Sequence, residues 1–435
     1  MSLQERLKML IEHDRPRLLE HYKYLHAHPE LSGREEKTAS IVAQELSRQG
    51  IEVTTRVGGH GVVGVVKNGP GPVVMIRGDM DALPIEEATG LPYRSAVRSI
   101  NELGEEVPVM HACGHDMHTT ILIGTAGLLM RLKDEWSGTL IAVAQPAEEA
   151  LGGAQRMLAD GLFSRFPRPD FALALHVKPE LPVGKVALSP GFVTLGCEVI
   201  DLIIHGQSGH GASPHEAKDP VVLAAQTILA LQTIISREIN PAERAVITVG
   251  AIHGGSLPNI IPDKVTLNLT LRSSNVEVAN QMVNAIRRIT RGLAQAAGIP
   301  DDRMPEIITP EHFYPPLYND PALADRILRV FRDTLGVKNV ITLLPQTGSE
   351  DFSEFGMVEP RVPIMFYFIG TSDPEHLERV SRGKEAIPLL HTPKFAPEPE
   401  TTLTTGLLTM TTAVLELLGR SLSVKKIPSN LSMTD

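Results

Sequence analysis

A chain of 435 residues with 42% hydrophobic content exceeds one average domain and can bury two cores. Its net charge of -10, without a basic block, argues against a nucleic-acid partner, and a charged fraction of 21% excludes wholesale disorder. Two cysteines make no disulfide framework and suit a reducing, cytoplasmic setting; the N-terminal stretch has no secretory h-region, and no uncharged apolar run reaches the roughly 20 residues of a membrane span, so no membrane partner is expected.

In chain order, Leu7, Leu10, Ile11 and Leu18, then Ala39, Ile41, Val42 and Leu46, recur at helical spacing. Valine-rich runs follow, GVVGVV (61–66) and VVMIRGD (73–79), which read as buried strands. The stretch HACGHD leads into a predicted helix over 119–133, and TLIAVAQPAEE and FALALHV (171–177) read as further buried strands. Strand–helix–strand alternation with all-apolar strands predicts an α/β fold, a mostly parallel sheet covered by helices. The pattern changes near residue 195. CEVIDLIIHGQ, RAVITVGAIHG and DKVTLNLTLRS alternate as half-exposed strands do, with helices expected over 219–237 and 276–297. That order predicts an inserted α+β, ferredoxin-like lid or dimerisation domain over 195–307. The first pattern resumes after 308, with a helix over 321–335, the strand PIMFYFIG (363–370) and a helix over 402–419. The catalytic domain is therefore expected to be discontinuous, 1–194 and 308–435, with the tail LSVKKIPSNLSMTD frayed.

The polar groups at the strand ends are Asp79 and Asp81, Cys113 and His115, Glu148 and Glu149, His176 and His391. Open α/β sheets place ligand sites at the C-terminal ends of their strands. Thiolate, imidazole and carboxylate together are what a divalent transition metal takes, although no single pair here has diagnostic spacing. Each residue also has a plainer reading. A lone cysteine is usually a small buried hydrophobe, and a tandem glutamate is usually a solvated face. Glu148 and Glu149, however, end an apolar run, where an unpaired carboxylate is costly. His26 and His28 read as a helix-terminus motif, His118 as packing or support, and Cys197 as packing; Asp116, Glu350 and Asp351 are candidates to orient ligand histidines.

Nine stretches, in order along nearly the whole chain, resemble the M20 metallopeptidase family in its amidohydrolase branch, which includes hippurate hydrolases, N-acyl-amino-acid amidohydrolases and auxin-conjugate hydrolases. They are HAHPELSGREEKTA (26–39), RGDMDALPIEE (77–87), MHACGHDMHTT (110–120), QPAEEALGGAQRML (145–158), ALHVKPELPVGKV (174–186), GQSGHGASPH (206–215), GGSLPNIIPD (254–263), GSEDFSEFG (348–356) and LHTPKFAPE (390–398). The resemblance implies two divalent metal ions, with Mn, Zn, Co and Ni all admitted by the donor set. It implies Cys113 as bridging ligand, His115, Glu149, His176 and His391 as the other ligands, Glu148 as general base and Asp81 as the aspartate that orients a ligand histidine. Asp79 stands where the peptidase branches carry a metal histidine, and His115 is expected to take over that role. The resemblance further implies that His210 polarises the substrate carbonyl and that Asn259 and Arg272 hold a carboxylate, although a turn asparagine and a surface arginine fit the same residues. It implies a homodimer through the inserted domain.

The expected reaction is metal-dependent hydrolysis of small N-acyl amino acids with acetyl, benzoyl or indole-acetyl groups. A dipeptidase or carboxypeptidase is the alternative that Asp79 argues against. A cysteine hydrolase using Cys113 would survive a chelator. A zinc deaminase lacks its P-C-x-x-C, and a non-enzymatic binding protein need not keep every ligand together with Glu148.

Overall fold

The computed structural model describes residues 1–309, 314–346 and 348–419; the tail at 422–435 lies outside them. Apart from two small two-stranded ribbons (Arg98–Ile100 with Glu106–Pro108, and Gly191–Phe192 with Tyr318–Asn319), the strands in chain order are β1 (Glu52–Val57), β2 (Gly61–Asn68), β3 (Val73–Asp79), β4 (Gly138–Gln145), β5 (Phe171–Pro182), β6 (Val186–Leu188), β7 (Gly196–His205), β8 (Gly209–His210), β9 (Ala245–Gly254), β10 (Ile260–Ile261), β11 (Lys264–Ser273), β12 (Glu306–Ile308), β13 (Val340–Thr342) and β14 (Ile364–Ser372). The long helices are α1 (Leu3–Ala27), α2 (Glu36–Arg48), α3 (His115–Arg131), α4 (Pro220–Thr233), α5 (Val276–Ala296), α6 (Pro321–Leu335) and α7 (Pro399–Leu417).

The chain forms two compact units. The first comprises Met1–Gly191, Tyr318–Leu344 and the segment from Glu354 onward. Its sheet runs β1-β2-β4-β3-β5-β14-β6-β13. The central strands β4, β3, β5 and β14 are parallel, and β1 and β2 extend the sheet antiparallel. The parallel strands read as continuous apolar runs because both faces are covered: β3 and β4 are buried almost throughout. Helices α1, α3 and α7 share one core with the sheet, built from Leu7, Leu18, Ile121, Leu128, Leu407, Val414, Ile76 and Leu173. Gly124 lets these helices approach, since a Cβ there would lie 2.5 Å from Leu407 and 2.8 Å from Leu18. Helix α1 opens on a capping box, with Ser2 Oγ accepting from Glu5 N–H and Glu5 accepting from Ser2 N–H.

The second unit comprises Phe192–Leu317 and Pro345–Ser353. It follows the order β7-α4-β9-β11-α5-β12, and its antiparallel sheet is ordered β9-β11-β7-β12, the ferredoxin-like arrangement. Alternate residues of β7 (Ile200, Leu202, Ile204) and β11 (Leu267, Leu269, Leu271) bury against Leu223, Leu231, Met282 and Ile286 of the two helices. By length and composition Pro220–Glu238 is apolar enough to cross a membrane, but Leu223, Ala224, Leu231 and Ile234 spend that character on this core.

Two sequence expectations need correction. The second unit does not end at 307: β12 pairs with β7, and Gln346 bridges Thr194, which draws 345–353 into the unit. Helix α3 begins at His115, not 119, with Gly114 as its left-handed N-cap at φ 80°. Almost all of α3 is buried, so it shows no amphipathic period from which to read its start. The edge strand β1, EVTTRV, gives no strand signal in the sequence, because most of it faces solvent and its threonines and arginine carry no apolar run.

Candidate metal centre

Strands β3 and β4 lie in parallel register with Asp79 opposite Gln145, so the loops leaving both strands emerge on one edge of the first unit's sheet. The N-terminus of α3, the turn at 146–153, His176 on β5 and the loop at His391 converge there. Three non-glycine residues with positive φ lie in these loops, Ala147 (50°), Leu151 (48°) and His391 (62°). Such backbone persists only where its surroundings impose it. His391 N–H donates to Ala112 O at 2.8 Å, and Gly153 N–H to Ala147 O at 3.1 Å. Gly114 cannot carry a side chain, because its Cβ would meet Val177 at 2.5 Å. It therefore keeps Cys113 and His115 close against β5.

Cys113 Sγ lies 3.4 Å from His176 Nε2 and 3.3 Å from His391 Nε2. His391 Nε2 is 3.2 Å from Glu149 Oε1. His115 Nδ1 is 3.2 Å from Asp81 Oδ1, while its Nε2 is buried without a hydrogen-bond partner among the described residues. Around that nitrogen stand Asp79 Oδ2 and Glu149 Oε1 at 3.9 Å and Glu148 Oε2 at 4.0 Å, too far for hydrogen bonds. His176 donates from Nδ1 to Val177 O at 2.7 Å, which fixes its tautomer and leaves the Nε2 lone pair toward Cys113. Triads of donor atoms within 4.8 Å of one another include Cys113–His115–His176, Cys113–Glu149–His391 and His115–Glu148–Glu149, with Asp79–His115–His118 beside them. Cys113 belongs to the first two. An orphaned imidazole nitrogen with carboxylates around it, next to further imidazoles and a thiol in overlapping triads, is a donor set that fits a pair of cations.

Burial opposes charge on His115, but Asp79, Asp81 and Glu149 outweigh it and push its pKa up to about 10. Burial and the charges of His118 and His115 hold His176 well below the usual range, so it is neutral. Burial, then Glu149, Glu148 and Asp79, raise the Cys113 thiol well above its ordinary value. Without a cation beside it this thiol stays protonated, and a bound divalent cation is what would release its proton.

Asp79 is committed elsewhere. Its Oδ2 accepts from Arg77 at 2.5 Å and its Oδ1 from His118 Nδ1 at 2.6 Å. His118 Nε2 in turn accepts from Val177 N–H at 2.9 Å, so both its nitrogens are used and it supports the site as a link between β3 and β5. Burial alone would raise the Asp79 pKa; Arg77, His115 and His118 hold it well below the carboxylate range. Asp116 does not orient a site histidine. It pairs with His26, whose other nitrogen meets Glu87. His28 caps the end of α1. Arg77 and Glu35 were not singled out from sequence. Arg77 sits inside an apolar strand, where its guanidinium is buried against the fully buried Asp79, a pairing that no local sequence signal announces.

His210, Asn259 and Arg272 lie in the second unit, as do Glu350 and Asp351, both buried. Strand β8 pairs with β10, and Gly211 N–H donates to Asn259 O at 2.8 Å, which brings His210 and Asn259 together. His210 Nδ1 accepts from Ala212 N–H at 3.0 Å, leaving the neutral ring's proton on Nε2. Arg272 instead stands on β11 and donates to Ser349 Oγ. Cys197, on β7, is buried and free.

Residues 75–389 match the description "Peptidase family M20/M25/M40". The chain is 38% identical over 333 residues to hippurate hydrolase of Campylobacter jejuni, covering 76% of this chain and 82% of that protein. It is 34% identical over 375 residues to thermostable carboxypeptidase 2 of Saccharolobus solfataricus, covering 85% and 90%. It also resembles the crystal structure of the Bacillus subtilis YXEP protein, described as a dinuclear metal binding peptidase from the M20 family. That match has a TM-score of 0.75 at 27% identity and covers 94% of this chain and 99% of that one.

Proposed function

Because the chain belongs to the peptidase family M20/M25/M40, and is thus a metal-dependent hydrolase of amide bonds, we propose that it cleaves small N-acyl amino acids. The observation that supports this reading is the overlap of the donor triads, which are linked through the shared Cys113, His115 and Glu149. Cys113, His115, Glu149, His176 and His391 would hold two divalent cations, Mn, Zn, Co or Ni. When bound, such a pair supplies Lewis acidity to an amide carbonyl and acidifies a water. Glu148, next to Glu149 in the turn, takes the proton from the attacking water and returns it to the leaving nitrogen, so no acyl-enzyme is needed. Asp81 holds His115 by its Nδ1 and Glu149 by its backbone N–H, at 3.2 Å and 2.9 Å. His210, Asn259 and Arg272 are assigned to the substrate's carbonyl and carboxylate from the matched motifs.

A carboxypeptidase activity is the second reading, favoured by the Saccharolobus relative. Asp79 in place of a metal histidine, with both oxygens already engaged, favours the acyl substrates. Dimerisation through the second unit is part of the proposal. Its helix α4 exposes Val222 (54%) and Leu229 (74%), and β9 is an edge strand exposing Ile252 (52%). So is a cytoplasmic location, where a ligand thiol stays reduced. The test is a panel of N-acetyl, N-benzoyl and indole-acetyl amino acids beside dipeptides and longer peptides. Cleavage of the acyl amino acids alone is expected; cleavage of peptides alone would overturn the substrate assignment.

A further inference from the structure

The turn that carries Glu148 is anchored on both sides. Glu149 N–H donates to Asp81 Oδ2 at 2.9 Å, and Ala147 N–H donates to Glu35 Oε1 at 2.9 Å. Glu148 lies between these two held amides. Ala147 stands at φ 50°, a left-handed conformation that an alanine does not keep unaided. The turn has no slack on its inner side, where a Cβ on Gly153 would lie 1.6 Å from Pro146 O.

Glu35 itself is fully buried at the start of α2. Its Oε1 also accepts from Gly33 N–H at 2.7 Å, while Oε2 has no partner among the described residues. Burial, then the charge of Asp81, pushes its carboxyl up to about 7. A buried carboxyl with one idle oxygen is a poor device for stability alone.

We infer that Glu35 is a positioning residue for Glu148: it fixes the Ala147 amide, and through it the aim of the Glu148 carboxylate, while Asp81 separately fixes Glu149. This rests on Glu148 acting as the base, as proposed above. The two anchors are then separable, and loss of Glu35 impairs proton transfer while sparing the metal ligands.

The test compares Glu35→Ala and Glu35→Gln in the full chain by three readouts. These are kcat and KM on the best acyl substrate, bound metal per chain, and hydrogen exchange of the 145–153 segment in chelated protein. Glu35→Ala should lower kcat on the order of 100-fold, the scale of an ångström's misplacement, with KM and metal content unchanged and exchange of the segment faster. Glutamine, whose Oε1 accepts the same two N–H groups, should recover most of the kcat and the protection. Wild-type kcat in Glu35→Ala, metal lost in step with activity, or a glutamine variant no better than alanine would each overturn the inference. The exchange readout needs no substrate. A silent wild-type enzyme with the exchange difference intact would therefore count against the proposed acyl substrates and leave the anchor standing, and unchanged exchange would overturn the Glu35 anchor.

Discussion

Replacing His26 by alanine should weaken the protein most at mildly acidic pH and least above pH 9. His26 is buried between two carboxylates, its Nδ1 2.7 Å from Asp116 Oδ2 and its Nε2 3.0 Å from Glu87 Oε1. Both nitrogens need a proton to serve both partners, which requires an imidazolium. Burial would lower its pKa, but Asp116 and Glu87 outweigh this and raise it from 6.5 to about 9. A tenfold change in proton affinity is about 1.4 kcal/mol, so the imidazolium contributes on the order of 3 kcal/mol. Because the folded pKa is the higher, that contribution is complete below pH 6.5 and is lost as pH rises through 9. For Asp116 and Glu87 burial would raise the pKa, yet His111 and His26 hold Asp116 down and His26 and Thr89 hold Glu87 down. Their contribution is present above their unfolded values and is lost as pH falls. The triad thus stabilises most between about pH 5 and 6.5. Urea unfolding of chelated wild type and His26→Ala across pH 5 to 9.5 measures the gap directly. It should narrow by roughly 3 kcal/mol between pH 6.5 and 9.5. A gap that stays constant over that interval would refute a charged His26.

Cys113→Ala should lower the bound metal per chain and shrink the rise in Tm on adding metal, because both donor triads lose a member; a full metal complement would remove Cys113 from the ligand set. His118→Leu leaves Asp79 and the Val177 N–H short of a buried partner and should cost about 2–4 kcal/mol in urea unfolding without loss of metal. Metal loss in that variant would make His118 a ligand. Gly124→Ala forces a methyl against Leu407 and Leu18 and should cost about 1–3 kcal/mol, read as a lower Tm.

The parallel strands were legible because burial on both faces turns them into unbroken apolar runs, and the inserted unit because its strands alternate. The edge strand β1 and the start of α3 were not, since one is mostly exposed and polar and the other is buried on every side. The residue types of the candidate site could be read from strand ends, but their convergence could not. Nothing in local sequence shows that Cys113 meets His391 across 278 positions. Asp79 and His118 were visible as residues, yet their bond, and the Arg77 that completes it, exist only in three dimensions. Glu35 reads as an ordinary glutamate in a charged stretch, and its burial follows from a turn more than a hundred residues away.

The central claim is that the Cys113 centre and Glu148 together hydrolyse an acyl amide. The measurement that tests it most directly is a metal titration of chelated wild type and Glu148→Gln, following bound metal and turnover of an N-acyl amino acid together. Wild-type turnover should rise with bound metal and saturate at two ions per chain. Glu148→Gln should bind the same metal while turning over about 100-fold or more slowly. Turnover by the metal-free protein, or a Glu148→Gln enzyme close to wild type, would contradict the account.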